Sequence, residues 1–228
     1  MFVVLDKQSK FHIPCCHIYI LSACRISLAW LQRFITHRHQ IASAERHNTK
    51  CLTLCNTQHS LDTFWFLLQA CRYLLDAAKS GDVNAVKFLF NYTSDICTTD
   101  DQYRNTPLIY AAANGHVEVV RVLLECGANV EKANAYQQTA IHGAAWYGYL
   151  EVCRLLLEWG AKLNPRDKWK ATPLHDAARW GNLSVVKLLV EKGADIKVKN
   201  GNGMTASDLA RFWKNKVVAD WLDSANRG

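Results

Sequence analysis

Two histidines and two cysteines near the amino terminus have the residue types of a metal site. His47, Cys51, Cys55 and His59 follow the spacing His-x3-Cys-x3-Cys-x3-His, and two thiolates with two imidazoles suit tetrahedral Zn²⁺. On one straight helix, however, the outer ligands would lie about 18 Å apart along the axis and about 120° apart around it. All four could converge only if the chain folded back, and this stretch contains no Gly or Pro to turn it. The spacing therefore favours surface histidines and unpaired thiols over a zinc site, and we expect no cofactor.

The sequence contains none of the common catalytic motifs. There is no Gly-x-x-x-x-Gly-Lys-Ser/Thr phosphate loop, no Gly-x-Ser-x-Gly turn and no His-Glu-x-x-His motif. His142 and His175 lie 33 residues apart, each at the same place in an internal repeat. We expect them to be structural residues that bond to connector backbone. The sequence therefore predicts a protein without an active site.

A repeat of 33 residues organises roughly the last two thirds of the chain. A threonine, an alanine pair, a first glycine, an aliphatic residue and a second glycine keep this interval. They are Thr106, Thr139, Thr172 and Thr205; Ala111-Ala112, Ala144-Ala145 and Ala177-Ala178; Gly115, Gly148 and Gly181; Leu124, Leu157 and Val190; and Gly127, Gly160 and Gly193. A fixed period of this length is typical of solenoid proteins.

Each unit carries the signals of two helices. The threonine can cap the first helix by accepting a hydrogen bond from a free backbone N–H, and Pro107 and Pro173 follow it where a missing N–H is harmless. The first glycine suits the left-handed end of that helix. A second helix, apolar at Val119, Val120 and Leu123 in one unit, ends at the second glycine. Each unit is therefore predicted to be a helix pair plus a turn-rich connector, with an apolar side that only its neighbours can bury.

The segment Ala171-Thr-Pro-Leu-His-Asp-Ala-Ala178, at this period, resembles the ankyrin repeat. The resemblance implies an all-α solenoid of stacked helix-turn-helix units with projecting β-turn connectors. We expect the repeat domain over 69–228, in units of about 69–100, 101–133, 134–166, 167–199 and 200–228. The first unit lacks Thr-Pro-Leu, and the last has Asp208, Arg211 and Lys214 in place of the histidine, the second alanine and the first glycine. Such departures are expected of capping units at the two ends.

Residues 1–68 contain no repeat. Apolar residues between Ile18 and Ile35 recur at three- and four-residue steps, which predicts an amphipathic helix. We expect a helical or partly disordered amino-terminal extension. Because Phe64, Trp65 and Phe66 are strongly apolar, we hypothesise that residues 18–68 form a helical lid over the solenoid end. A metal- or membrane-associated role through residues 1–60 remains an alternative.

Aromatic residues are concentrated at positions that the repeat framework does not need. Two connector positions and two positions before the first glycine in each of the last four units give sixteen sites, of which eight are aromatic, although aromatic residues make up 11% of the chain. In ankyrin proteins, partners usually contact this concave side. The rings could alternatively pack on each other or on Arg and Lys stems. The candidate partner-binding residues are Tyr103, Tyr136, Trp146, Tyr147, Trp169, Arg179, Trp180, Phe212 and Trp213.

Charge and cysteine content limit the class of partner. Residues 1–71 contain seven Lys/Arg against three Asp/Glu, and the rest of the chain contains 20 against 17. This near balance in the repeats disfavours nucleic acid. We expect a protein or peptide partner with apolar anchors and acidic flanks. The odd total of nine cysteines, with Cys126 and Cys153 expected to be buried, predicts a reducing compartment such as the cytoplasm or nucleus.

The sequence as a whole predicts a non-catalytic protein-protein interaction module that is monomeric on its own. It has no run of 18 uncharged apolar residues, so we expect no membrane span. The alternative is a regulatory or targeting subunit, or a fragment, of a larger enzyme assembly.

Overall fold

A computed structural model describes residues 70–93 and 103–227 of the 228-residue chain. These residues form ten helices and no strand. Helix α1 covers residues 70–80. The others are α2 (Val83–Thr93), α3 (Pro107–Ala113), α4 (Val117–Glu125), α5 (Ala140–Tyr147), α6 (Leu150–Glu158), α7 (Pro173–Arg179), α8 (Leu183–Glu191), α9 (Ala206–Phe212) and α10 (Lys216–Ala225).

The helices stack in two rows. The inner helices α3, α5, α7 and α9 contact one another in order, and the outer helices α2, α4, α6, α8 and α10 do the same. Each inner helix also packs on the outer helix that follows it in the chain. This arrangement confirms the predicted all-α solenoid.

The core runs between the two rows as one continuous cluster. The alanine pairs of α3, α5 and α7 are fully buried, so neighbouring inner helices meet without bulky side chains between them. The outer helices contribute Leu123, Leu156 and Leu189, which are also fully buried. Cys153 is buried in this core as predicted, but the prediction for Cys126 is wrong. Cys126 follows the last residue of α4 and is exposed there.

Threonines begin the inner helices as predicted, but their partners differ between units. Thr106 Oγ1 accepts a hydrogen bond from the Ile109 N–H at 3.2 Å. In the last unit the Asp208 carboxylate accepts from the Thr205 N–H at 3.0 Å and from its hydroxyl at 2.7 Å. The aspartate therefore replaces the histidine of the preceding units in closing the first turn.

His142 and His175 are structural residues, which confirms the prediction. His142 Nδ1 accepts from the Thr139 N–H at 3.2 Å, so the ring proton is on Nε2, which donates to the Ala171 carbonyl at 3.4 Å. His175 joins Thr172 to the Met204 carbonyl in the same way, with a Nε2–O distance of 3.1 Å. Burial lowers the pKa of both imidazoles because it disfavours their charged forms. Each histidine therefore ties one unit to the connector of the next.

The residue after the first glycine forms a second tie between units, which the sequence analysis missed. Asn182 Nδ2 donates to the carbonyls of Ala145 and Trp146, both at 2.9 Å. Its side chain lies directly over Gly148, where a Cβ would come within 2.7 Å of Asn182 Oδ1. We call this residue the latch residue of each unit. The latch residues are His116, Tyr149, Asn182 and Asn215.

The last unit compensates for its two departures locally. Arg211, at the position of the second alanine, forms ion pairs with Asp208 and Asp223 across α9 and α10. Lys214 takes the left-handed conformation of the missing glycine, with φ +63°. The predicted amino-terminal lid and the His47, Cys51, Cys55 and His59 cluster lie outside the described residues.

Candidate partner-binding surface

Backbone hydrogen bonds between consecutive connectors set the spacing of the projecting turns. The N–H of one turn residue donates to a carbonyl one unit earlier. The donor–acceptor pairs are Ala135 to Tyr103, Lys168 to Tyr136 and Gly201 to Trp169, with N–O distances of 2.8, 2.8 and 2.7 Å. The accepting residues are the three aromatic residues of the turns, so the same bonds hold their side chains in line.

A side-chain oxygen shapes the turns that contain Tyr136, Trp169 and Gly201 from within. Asp167 Oδ1 accepts from the Trp169 and Ala171 N–H groups at 2.9 and 2.8 Å. Asn134 and Asn200 make the equivalent pair of bonds in their own turns. The turns are therefore rigid platforms, and the aromatic side chains project from defined backbone positions.

The three turn rings form a stack that we call the connector row: Tyr103, Tyr136 and Trp169. The first two ring centroids are 5.7 Å apart, and those of Tyr136 and Trp169 are 5.5 Å apart with planes inclined by 21°. Both distances are typical of aromatic contacts. Trp169 is 56% exposed, and the row ends there because Gly201 has no side chain. A Cβ at Gly201 would lie 2.8 Å from the Trp169 carbonyl oxygen.

A second stack, the helix row, runs beside the ends of the inner helices and consists of Trp146, Trp180 and Trp213. The centroids of Trp146 and Trp180 are 5.1 Å apart, and those of Trp180 and Trp213 are 6.5 Å apart with planes inclined by 18°. Phe212 meets Trp213 edge to face at 5.8 Å, and Tyr147 lies 6.2 Å from the latch residue Tyr149. The two rows lie on the side of the solenoid formed by the connectors and inner helices, which we call the inner face.

Arg179 lies within the helix row. Its guanidinium carbon is 5.1, 5.9 and 4.6 Å from the ring centroids of Trp146, Trp180 and Trp213. These distances are in the range of cation–π attraction. Within the described residues the guanidinium makes no hydrogen bond or ion pair, and its Nε is buried without a partner. The arginine is therefore held by aromatic rings alone.

The structure brings all nine candidate residues to the inner face. Their rings do contact each other and Arg179, as the packing alternative anticipated. Six of the eight are nevertheless exposed, namely Tyr103, Tyr147, Trp169, Trp180, Phe212 and Trp213. Since the core is built from other residues, these contacts leave an apolar surface open to solvent.

Basic residues are also concentrated on the inner face, which the near balance of total charge hides. Residues 103–116, 134–149, 165–182 and 198–215, which form the later part of each connector and the inner helix that follows it, contain eight Lys/Arg against three Asp/Glu. Two of those acids, Asp167 and Asp176, are buried, and the third, Asp208, is paired with Arg211. The remaining segments, 117–133, 150–164, 183–197 and 216–227, contain nine of each sign. The inner face is therefore basic as well as aromatic.

Residues 70–93 and 103–227 contain no group of three His, Cys, Asp or Glu side chains that could hold a metal ion. None of the helices described there is long and apolar enough to cross a membrane.

Two plant proteins resemble part of the chain. One is the E3 ubiquitin-protein ligase XBAT32 of Arabidopsis thaliana, 37% identical over 62 residues, and the other is the probable E3 ubiquitin-protein ligase XBOS32 of Oryza sativa subsp. japonica, 39% identical over 62 residues. Each alignment covers 27% of this chain and 12% of the plant protein. The chain thus matches about an eighth of the length of these relatives.

Family models match more than half of the chain. A model of three ankyrin repeats matches residues 74–167, and a single-repeat model matches residues 169–201. Ankyrin repeats generally act as protein-protein interaction modules. Together with the stacked helix pairs, these matches show that the chain belongs to the ankyrin repeat family.

Proposed function

We propose that this chain is a non-catalytic module that binds a segment of a partner protein on its inner face. The observation that carries the proposal is the pair of solvent-exposed aromatic rows lying outside the core. Exposed contiguous apolar surface commonly marks an interaction site, and Trp, Tyr and Arg dominate interface energetics. The proposed contact residues are Tyr103, Tyr136, Trp146, Tyr147, Trp169, Arg179, Trp180, Phe212 and Trp213.

The backbone supports this function by fixing the two rows in advance. Backbone hydrogen bonds with N–O distances of 2.7–2.8 Å join each connector to the next, and the rings within each row contact one another. A partner would therefore meet side chains whose freedom is already restricted, which lowers the entropy cost of binding. The charge of the inner face favours a partner segment that combines apolar anchors with acidic residues.

The test is a comparative capture from a cell lysate. The bait variant replaces Trp146, Tyr147, Trp180 and Trp213 with alanine, and its melting temperature is measured beside that of the wild type. We expect the variant to remain folded, because these rings lie outside the core, and to lose a specific subset of captured proteins.

The matched control replaces two exposed apolar residues of the outer helices, Trp159 and Val217, with alanine. This variant also loses apolar surface, but it leaves both aromatic rows intact. We expect it to retain the proteins that the inner-face variant loses. If a folded inner-face variant kept every captured protein, the aromatic rows would not be the binding surface.

A second candidate function is a regulatory or targeting part of a larger enzyme assembly. The similarity to the two plant ubiquitin ligases favours it, although it covers about a quarter of the chain. The candidate predicts that the captured proteins support ubiquitin conjugation in the presence of ATP, activating enzyme and conjugating enzymes, whereas the purified chain does not. Captured material without conjugating activity would remove this candidate and leave the binding function intact.

A further inference from the structure

We infer that Arg179 is a carboxylate receptor: an acidic side chain of the bound protein segment docks on its guanidinium, between the indoles of the helix row. This inference rests on the proposed function and adds to it, because it states which residue of the inner face binds which chemical group of the partner. The occupant is an acidic segment of a partner protein.

The first argument is that Arg179 is held in place but has no polar partner. Three indole rings surround the guanidinium at 4.6–5.9 Å. Arg121, Arg154 and Arg211, by contrast, each form an ion pair with an acid within the chain. A guanidinium fixed by stacking presents its planar fork of N–H groups, which matches the two oxygens of a carboxylate.

The second argument concerns Asp176, the acid within this chain that could neutralise Arg179. Asp176 lies three residues earlier on α7 and is 4% exposed, but it forms no ion pair with Arg179, and its Oδ2 is buried without a partner. Burial raises the pKa of Asp176 well above its usual value, since the charged carboxylate is poorly solvated there. Because Asp176 forms no ion pair with Arg179 and the Arg179 Nε has no hydrogen-bond partner, the guanidinium is available to a carboxylate from outside.

The third argument is the sign of the surrounding charge. Eight basic residues lie in the four described segments 103–116, 134–149, 165–182 and 198–215, and the one exposed carboxylate within those segments, that of Asp208, is paired with Arg211. Such a field attracts acidic segments and repels basic ones. Arg179 lies among the apolar rings of this field, where a carboxylate contact would be shielded from water and correspondingly strong.

The spacing of the rings favours protein over nucleic acid. Single-stranded nucleic acids bind by stacking successive bases on aromatic side chains. In the helix row, neighbouring centroids are already 5.1 and 6.5 Å apart, which is direct aromatic contact. The ring faces that contact each other are therefore not available to bases, whereas a carboxylate needs only the edge of the guanidinium.

The test begins with a random peptide library selected on the immobilised full-length chain. We expect the selected peptides to carry Asp or Glu close to an apolar residue, and to lose binding to the Trp146, Tyr147, Trp180, Trp213→Ala variant. The affinity of one such peptide and of its Asp→Asn or Glu→Gln form is then measured on wild type and on Arg179→Met. Methionine keeps an unbranched apolar stem between the indoles and favours the helix.

The four affinities form a double-mutant cycle. We expect the loss of the peptide acid to weaken binding to the wild type by about tenfold more than binding to Arg179→Met. The matched control is Lys168→Gln, which removes a charge from the same unit outside the indole cluster. It is expected to leave the effect of the peptide acid within about twofold of that in wild type, because an exposed charge at the edge of an interface contributes little to affinity.

The outcomes separate this inference from the proposed function. Peptides that need the helix row but show no coupling between their acid and Arg179 overturn the inference and leave the function standing. Selected peptides that bind the ring variant as well as the wild type overturn both. A single-stranded oligonucleotide that binds through Arg179 more tightly than any selected peptide overturns the carboxylate assignment. If Arg179→Met does not fold, the cycle uses Arg179→Lys, which keeps the positive charge but lacks the planar fork of N–H groups. A coupling to the peptide acid that is equal in Arg179→Lys and in the wild type contradicts the inference.

Discussion

Two glycines with the same backbone conformation should respond differently to alanine. Gly148 and Gly160 both have left-handed φ values, +80° and +84°. A Cβ at Gly160 would meet nothing within 4 Å, but a Cβ at Gly148 would lie 2.7 Å from Oδ1 of the latch residue Asn182. Gly160→Ala therefore reports the conformational cost alone, and Gly148→Ala reports that cost plus the displacement of the latch.

The structure gives the size of the difference. A left-handed alanine costs about 1–2 kcal/mol at either site. At Gly148 the Asn182 amide must also move, and it now donates to the carbonyls of Ala145 and Trp146, both at 2.9 Å. Each lost hydrogen bond costs about 0.5–1.5 kcal/mol. We therefore expect Gly148→Ala to lower the free energy of unfolding by about 1–3 kcal/mol more than Gly160→Ala does.

Urea denaturation of the full-length chain measures this difference, provided the slope of the transition is unchanged. The decisive comparison repeats both glycine substitutions in an Asn182→Ala background, where the latch is already gone. There the costs of the two alanines should become equal. If both glycines cost the same in the wild type, or if the extra cost at Gly148 persists without Asn182, the latch does not act as described.

Three further predictions concern the core and its titrating groups. Leu156→Ala removes a fully buried side chain from α6 and should lower the free energy of unfolding by about 2–5 kcal/mol; a melting temperature unchanged within error would place the core elsewhere. The folded-state pKa values of His142 and His175 lie below the ordinary 6.5, so the unfolded chain binds more protons as the pH falls below 6.5 and stability is lost. The gap in unfolding free energy between the wild type and a double His→Gln variant should therefore be largest at pH 7 and shrink on acidification, and a constant gap contradicts the burial argument. Burial raises the pKa of the Cys153 thiol to about 12, so a maleimide should label Cys126 in the native protein and Cys153 only after denaturation, as peptide mapping by mass spectrometry would show.

The solenoid could be predicted because each local signal recurs with the same residue types. Thr172, Pro173 and His175 fix the start of an inner helix, and Gly181 fixes its end. Other units repeat parts of this arrangement, such as Thr106 with Pro107 and Thr139 with His142, so a signal that is missing in one unit is supplied by another. Local propensity and tertiary packing point to one structure, which is the condition under which a sequence specifies its fold well.

The latch residues were missed because their side chains have no common chemistry. His116 is an imidazole, Tyr149 is a phenol, and Asn182 is an amide. Their common property is a place in space: each covers the glycine that ends the inner helix of the preceding unit. Likewise, the bonds between connectors join N–H and C=O groups, which every residue except proline carries. A pattern of side-chain types in the sequence therefore predicts neither the latch contacts nor the hydrogen bonds between connectors.

The positions of the aromatic rings followed from spacing, but their contacts did not. Aligning the units at 33 residues places Trp146 opposite Arg179, whereas the structure stacks Trp146 on Trp180, one residue further along. The helix row therefore shifts by one residue between Trp146 and Trp180 and then keeps the 33-residue interval to Trp213, and Arg179 fills the place that a strict repeat would give to another ring. The basic character of the inner face was also hidden, because the balanced charge of the outer helices dilutes it in any count along the chain.

In the fourth unit, two residues of the inner helix α7, Asp176 and Arg179, are not explained by the stability of the fold alone. The position of Asp176 is occupied by Tyr110, Gly143 and Leu209 in the other complete units, so the stacked helices do not require a carboxyl there. A buried polar atom without a partner destabilises a fold, and here Asp176 and Arg179 each have one on the same turn of α7. Departures that destabilise a regular framework are expected at functional sites. The Arg179 guanidinium also lies among the three indoles of the helix row, which is why we propose that the partner is recognised there.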